Sequence, residues 1–199
     1  MMNLYIIRHG QTVMNKSHAL QGRSDFALNE DGIRQSEAAG KWFREQGIRF
    51  DYVFSSPLQR AVQTAKCVDP DAEIRTDERL LEMEYGPYEG MDLTKPAPEV
   101  LAFFMDFVNC PAPEGMEPLE QVVERLGEFL EEIRDLKGNV LISTHAIAMK
   151  GALEYLTPES RGSYWAENIA NCEVYAAECG ESGYSVPETV ASFGDSQIR

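Results

Sequence analysis

Four side chains of this sequence share one chemistry: Arg8, His9, Arg60 and His145. Guanidinium groups present planar forks of donors that match phosphate oxygens, and imidazoles can act as nucleophile or proton donor near neutral pH. The set suits the gripping of one tetrahedral dianion and an attack upon it. Singly, each has a plainer reading, since an arginine is usually a solvated surface charge and a histidine often a satisfied polar residue. Their joint placement argues for chemistry. Arg8-His9-Gly10 follows one buried-strand pattern, Thr144-His145 follows another, and Arg60 lies on the helix that opens after a third.

Hydrophobic patterning predicts the strands and helices that carry these four side chains. Leu4-Tyr5-Ile6-Ile7 is a continuous apolar run ending at polar residues and glycine, as a strand buried on both faces would. Ile33, Ala38, Ala39, Trp42 and Phe43 recur at helical spacing until Gly47. Tyr52-Val53-Phe54 makes a second strand, and Ser55-Ser56-Pro57 opens a helix to about Cys67 with proline in its first turn. Glu73 to Thr76 is a third strand. Residues 91–117 are rich in proline and apolar side chains, with a short helix around Leu101 to Val108, and read as an insertion covering the sheet. The apolar positions from Leu119 to Leu136 mark a long amphipathic helix. Asn139-Val140-Leu141-Ile142-Ser143 is the strongest buried strand, followed by a helix from Ala146 to Leu156. Ala170 to Ala177 suggests a further strand, and the remainder is too weakly patterned to assign. The alternation predicts a three-layer α/β/α fold with a mainly parallel sheet, one domain over residues 1–199, with ligands bound beyond the carboxyl ends of the strands.

Composition narrows the partners. The formal charge is −15, from 33 acidic and 18 basic residues, which disfavours nucleic acid and anionic membranes and makes any phosphate site a local cationic exception. Cysteines 67, 110, 172 and 179 form no CxxC pair and have no zinc-like company, so reduced thiols in a cytoplasmic protein are expected. The amino terminus lacks a secretory pattern, and no run of about 18 apolar residues occurs. Phosphate loops of the GxxxxGK type, GxSxG elbows, HExxH pairs and a cysteine six residues before an arginine are all absent from the sequence.

Four blocks together resemble the histidine phosphatase, or phosphoglycerate mutase-like, superfamily. Arg8-His9-Gly10-Gln11-Thr12 with Asn15, Gln21-Gly22 and Asp25 looks like its signature. Ser55 to Ala65 is similar to its second block, Arg79-Leu80-Leu81-Glu82 with Gly86 and Glu89-Gly90 to its third, and Ser143-Thr144-His145 to its fourth. Met14, Arg23 and Ala146 depart from the usual residues. The resemblance implies His9 as nucleophile, Arg8, Arg60 and His145 as the phosphate clamp, and Glu82 as general acid. It further implies substrate contacts from Asn15, Gln21, Gly22 and Arg23, with neither metal nor other cofactor required.

The implied activity is hydrolysis of a small phosphomonoester through a phosphohistidine. Phosphoryl transfer depends mainly on positioning and electrostatics, so a cationic cradle can serve where other enzymes use metals. Glu84, two residues on, is the rival acid, and His18 is a candidate pocket border. The expected lid, 91–117, holds one lysine against five carboxylates, a formal charge of −4, and otherwise apolar residues. Such a roof favours a neutral or apolar leaving group over the multiply charged intermediate of a cofactor-dependent phosphoglycerate mutase, the alternative activity. An inactive phosphate-binding regulatory module is the alternative from another class. Substrate identity and oligomeric state are not written in the sequence.

Overall fold

The computed structural model describes residues 1–194. Its centre is one mixed sheet in the order β3-β2-β4-β1-β5-β6, with β7 beside β5. The strands are β1 (Met2–Arg8), β2 (Tyr52–Ser55), β3 (Ile74–Thr76), β4 (Gly138–Thr144), β5 (Val174–Gly180), β6 (Gly183–Tyr184) and β7 (Glu188–Ala191). The first four pair in parallel, and β5 to β7 add an antiparallel flank. Both faces are covered, which explains why β1 and β4 read as continuous apolar runs. On one face Leu4, Ile6, Val140 and Ile142 pack with Leu126, Phe129, Leu130 and Leu153 of helices α5 (Leu119–Ile133) and α6 (Ala146–Leu156). On the other, Ile7, Val53 and Leu141 meet Ala39, Phe43, Ala65 and Val68 of α2 (Glu30–Glu45) and α3 (Gln59–Val68).

Register brings the chemistry together. Arg8 lies opposite Thr144, and Ser55 opposite Ser143, so β1, β4 and β2 end almost level. The ladder continues one step beyond: the His9 N–H donates to the Thr144 carbonyl at 2.9 Å, and the Ser56 N–H to that of Ser143 at 3.0 Å. His9, His145 and Ser56 are thereby fixed by backbone at one edge.

Several boundaries differ from the sequence reading. Helix α3 starts at Gln59 after the extended residue Leu58, so Pro57 precedes the helix and does not occupy its first turn. In the 91–117 segment, helix α4 (Pro98–Met105) begins earlier than Leu101, because Pro98 at the first helical position supplies a preset φ. Helix α5 stops at Ile133, short of Leu136. The strand expected from Ala170 begins only at Val174 and runs antiparallel to β1, after a turn in which Cys172 takes a left-handed φ of 52°. A four-residue helix, α1 (Val13–Lys16), was not expected; a reciprocal cap between Thr12 and Asn15 holds it.

Candidate active site

The His9 ring is buried at the end of β1. Its Nδ1 lies 2.7 Å from the Gly10 carbonyl, which can only accept, so the proton sits on Nδ1 and the lone pair on Nε2. Arg60 Nε donates to that Nε2 at 3.2 Å and to Nδ1 of His145 at 3.1 Å. One N–H is thus shared between two imidazoles whose centroids stand 5.2 Å apart. His145, with its Nδ1 accepting, offers the Nε2 proton to Ser56 Oγ at 2.7 Å. His145 thus faces the arginine as an acceptor and the serine as a donor.

Both histidines are held well below the ordinary imidazole range. Burial is the main cause for each; Arg60 and Arg8 add repulsion at His9, and Arg60 and then His9 at His145. Arg60 has no exposed surface, and burial lowers it to about 10, opposed by the carboxylates of Glu82, Asp25 and Glu89. Its two terminal nitrogens donate to the Ser24 and Gly22 carbonyls at 2.8 and 2.6 Å. Arg8 is buried beside it and donates to the Ile169 carbonyl.

Glu82 is buried at the amino end of α6, where its carboxylate accepts from the N–H groups of Met83, Ala148 and Ile147 at 2.9, 2.9 and 3.2 Å. It caps a helix that has no other side-chain cap. Glu84 points the other way, exposed and paired with Arg23 at 3.1 Å. The alternation of an extended segment puts one carboxylate in and the other out.

Arg8, His9 and Glu82 open onto a cavity of about 360 Å³ that Asn15, Gln21 and Lys150 also line, whereas Arg60 and His145 lie behind His9, fully buried and outside the lining. Gln21 accepts from the Thr12 hydroxyl at 2.7 Å, while its buried Nε2 donates to nothing. Leu93, Phe104, Met105 and Phe107 from the 91–117 segment form an apolar wall with Trp165. Gly22, expected to touch substrate, lies outside the lining with its carbonyl on Arg60, and a Cβ there would come within 2.6 Å of Glu89. Arg23 stays outside the lining, held by Glu84 and Glu117. His18 also lies outside it, exposed at the end of α1.

Lys150 is the pocket residue that sequence reasoning missed. It is 8% exposed, donates to the Trp165 carbonyl at 2.9 Å and sits 5.2 Å from the Phe107 ring. Burial lowers its ammonium to about 8. The available signal was a single charged residue between Ala146 and Leu153 of an otherwise apolar helix. Among the described residues, no three His, Cys, Asp or Glu side chains gather as a metal site requires, and no helix is long and apolar enough to cross a membrane.

The family model for the histidine phosphatase superfamily (branch 1) matches residues 4–191. A 2,3-bisphosphoglycerate-dependent phosphoglycerate mutase of Parvibaculum lavamentivorans is 31% identical over 193 residues, covering 90% of this chain and 91% of that protein. Fructose-2,6-bisphosphatase TIGAR of Xenopus tropicalis is 40% identical over 137 residues, 64% of this chain and 48% of its own length. The fold matches a mycobacterial glucosyl-3-phosphoglycerate phosphatase solved with VO3 at a TM-score of 0.83 and 24% identity, covering 97% of this chain and 99% of that one. With its four sequence blocks folded onto one edge of the sheet and the family model spanning nearly the whole chain, this protein belongs to the histidine phosphatase superfamily.

Proposed function

We propose that the protein is a metal-independent phosphomonoesterase that works through a phosphohistidine on His9. The observation that carries this reading is the tautomer: Nδ1 is tied to the Gly10 carbonyl, so a neutral imidazole turns its Nε2 lone pair toward Arg60. Nε2 attacks phosphorus, the bond to the leaving oxygen breaks, and Glu82, entering the step as the carboxylic acid, supplies the proton that an alkoxide needs. Water then attacks the phosphohistidine, returns a proton to Glu82 and releases inorganic phosphate. Arg8 and Arg60 neutralise the phosphoryl oxygens, and His145, held against Arg60, completes the clamp. Asn15 and Gln21 border the phosphoryl group, and the buried Nε2 of Gln21 is a donor available to it. The apolar wall of the 91–117 segment, acting as a lid, receives the leaving group of a small metabolite.

Phosphoglycerate mutase activity is the second reading, favoured by Lys150, a pocket cation beyond the phosphate clamp, and by the mutase relative. Retention of all five clamp, nucleophile and acid residues speaks against an inactive binding module. The test is a panel of phosphomonoesters scored for phosphate release, with 3-phosphoglycerate plus catalytic 2,3-bisphosphoglycerate scored for 2-phosphoglycerate. Hydrolysis should dominate, persist in excess EDTA and be blocked by vanadate. His9→Ala should abolish it together with the acid-labile, alkali-stable phosphoenzyme. Mutase turnover well above the best hydrolytic rate promotes the second reading; a phosphoserine or full activity in His9→Ala removes the mechanism.

A further inference from the structure

Arg60 orients both imidazoles, and what orients Arg60 lies outside the cavity. Its terminal nitrogens are fixed by the carbonyls of Gly22 and Ser24, in a loop with no regular secondary structure. The same two residues give their N–H groups to one carboxylate, that of half-buried Glu89: Gly22 at 3.0 Å to both oxygens, Ser24 at 3.3 Å, with the Ser24 hydroxyl as a further donor. Gly22 has no room for a Cβ, which would meet Glu89, Tyr85 and the Met83 carbonyl at 2.6–2.8 Å. The loop is therefore clasped between Glu89 on one segment and Arg60 on another.

We propose that Glu89 is a positioning residue that acts through the 22–24 loop to set Arg60, and through Arg60 the tautomers and spacing of His9 and His145. The chain of contacts is continuous: carboxylate to peptide N–H, peptide carbonyl to guanidinium, guanidinium N–H to two imidazole nitrogens. Glu89 neither borders the cavity nor contacts either histidine. Without its carboxylate the two N–H groups turn to water, and the carbonyls lose the constraint that keeps both on Arg60. The consequence for turnover rests on the phosphatase reading; the consequence for the imidazoles does not.

Two measurements on the full chain separate those levels. The protein holds three histidines, so nitrogen-15 spectra of the rings are tractable. The native protein should show neutral His9 protonated on Nδ1 and neutral His145 protonated on Nε2, and Glu89→Ala should turn at least one into a tautomer mixture. Glu84→Ala, which removes a carboxylate of the same region, should leave both unchanged. In turnover, Glu89→Ala should lower kcat about 10–100-fold, with Glu89→Gln between it and the native enzyme because one acceptor oxygen remains. In an Arg60→Ala or Arg60→Lys background the same substitution should cost less than about 2-fold, since its route to the histidines is already cut. Thermal melts identify any variant that fails to fold, and the lysine background then supplies the cycle. Unchanged histidine tautomers in a folded Glu89→Ala overturn the proposal, as does an undiminished loss in both Arg60 backgrounds. Absence of any phosphatase activity would end the functional reading and leave the tautomer test standing.

Discussion

Replacing Lys150 by methionine should make the protein more stable and a poorer enzyme. Met has similar length and removes a cation that burial has lowered from 10.5 to about 8. A displacement of about 2.5 pKa units at about 1.4 kcal/mol each means that the charged form costs roughly 3 kcal/mol at pH 7. Against this stand the lost hydrogen bond to the Trp165 carbonyl, about 1 kcal/mol, and the contact with Phe107, about 0.5–1 kcal/mol. The net gain is about 1–2 kcal/mol, which for a chain of this size raises Tm by about 2–8 °C. The sign has a pH signature. Between about 8 and 10.5 the unfolded chain keeps the Lys150 proton that the folded chain has lost, so native stability rises with pH there, and the advantage of the variant shrinks through zero and reverses as the charge penalty disappears. Urea unfolding of both proteins at pH 7, 8.5 and 10 measures this. A variant less stable than native at pH 7, or a difference that ignores pH, refutes the accounting. The same variant should lose kcat/KM on 3-phosphoglycerate and keep it on p-nitrophenyl phosphate, whose leaving group lacks a carboxylate for Lys150 to meet.

Glu82→Gln should depress hydrolysis of alkyl phosphates by at least ten times more than that of p-nitrophenyl phosphate, because an aryl oxide leaves without needing a proton; equal losses would remove Glu82 from the acid role. Acid should destabilise the protein earlier than its carboxylates explain. His9 and His145 are both held well below 6.5 when folded, so the unfolded chain takes two protons as pH falls below about 6.5 while the folded chain takes none, until pH reaches their folded values. Stability is complete above that pH and falls by about 2.7 kcal/mol per unit below it. The hydrogen-bonded carboxylates Asp31 and Asp77 lie below the ordinary aspartate value, so their contribution is lost only under about pH 4. Urea midpoints at pH 7.5, 6 and 5 decide it, and a flat profile between 6 and 5 would contradict neutral burial of the pair.

Which chemistry is available, and where along the chain it lies, follows from residue order alone. β1 and β4 are buried on both faces, so they must be continuous apolar runs, and the polar residues that end them, His9 and His145, stand out for that reason. The short outer strands were illegible for the converse reason: β6 has two residues and β7 is largely exposed, so neither carries a hydrophobic pattern. Helix α1, four residues long, rests on a cap and has no period to read. Side-chain direction and tautomer depend instead on how the elements meet in space. Glu82 and Glu84 are the same residue type two positions apart, and which one faces α6 depends on where that helix starts in space. Arg23 turned to Glu84 and Glu117, whereas Lys150, which local sequence presents as one charge on an apolar helix, became the second cation of the cavity. The tautomers of His9 and His145 belong to neither ring alone. They are set by a carbonyl at residue 10, a hydroxyl at 56 and an arginine at 60 that meet only because β1, β2 and β4 end level. A hydrogen bond depends on distances of a few tenths of an ångström, which sheet register sets and residue spacing along the chain does not.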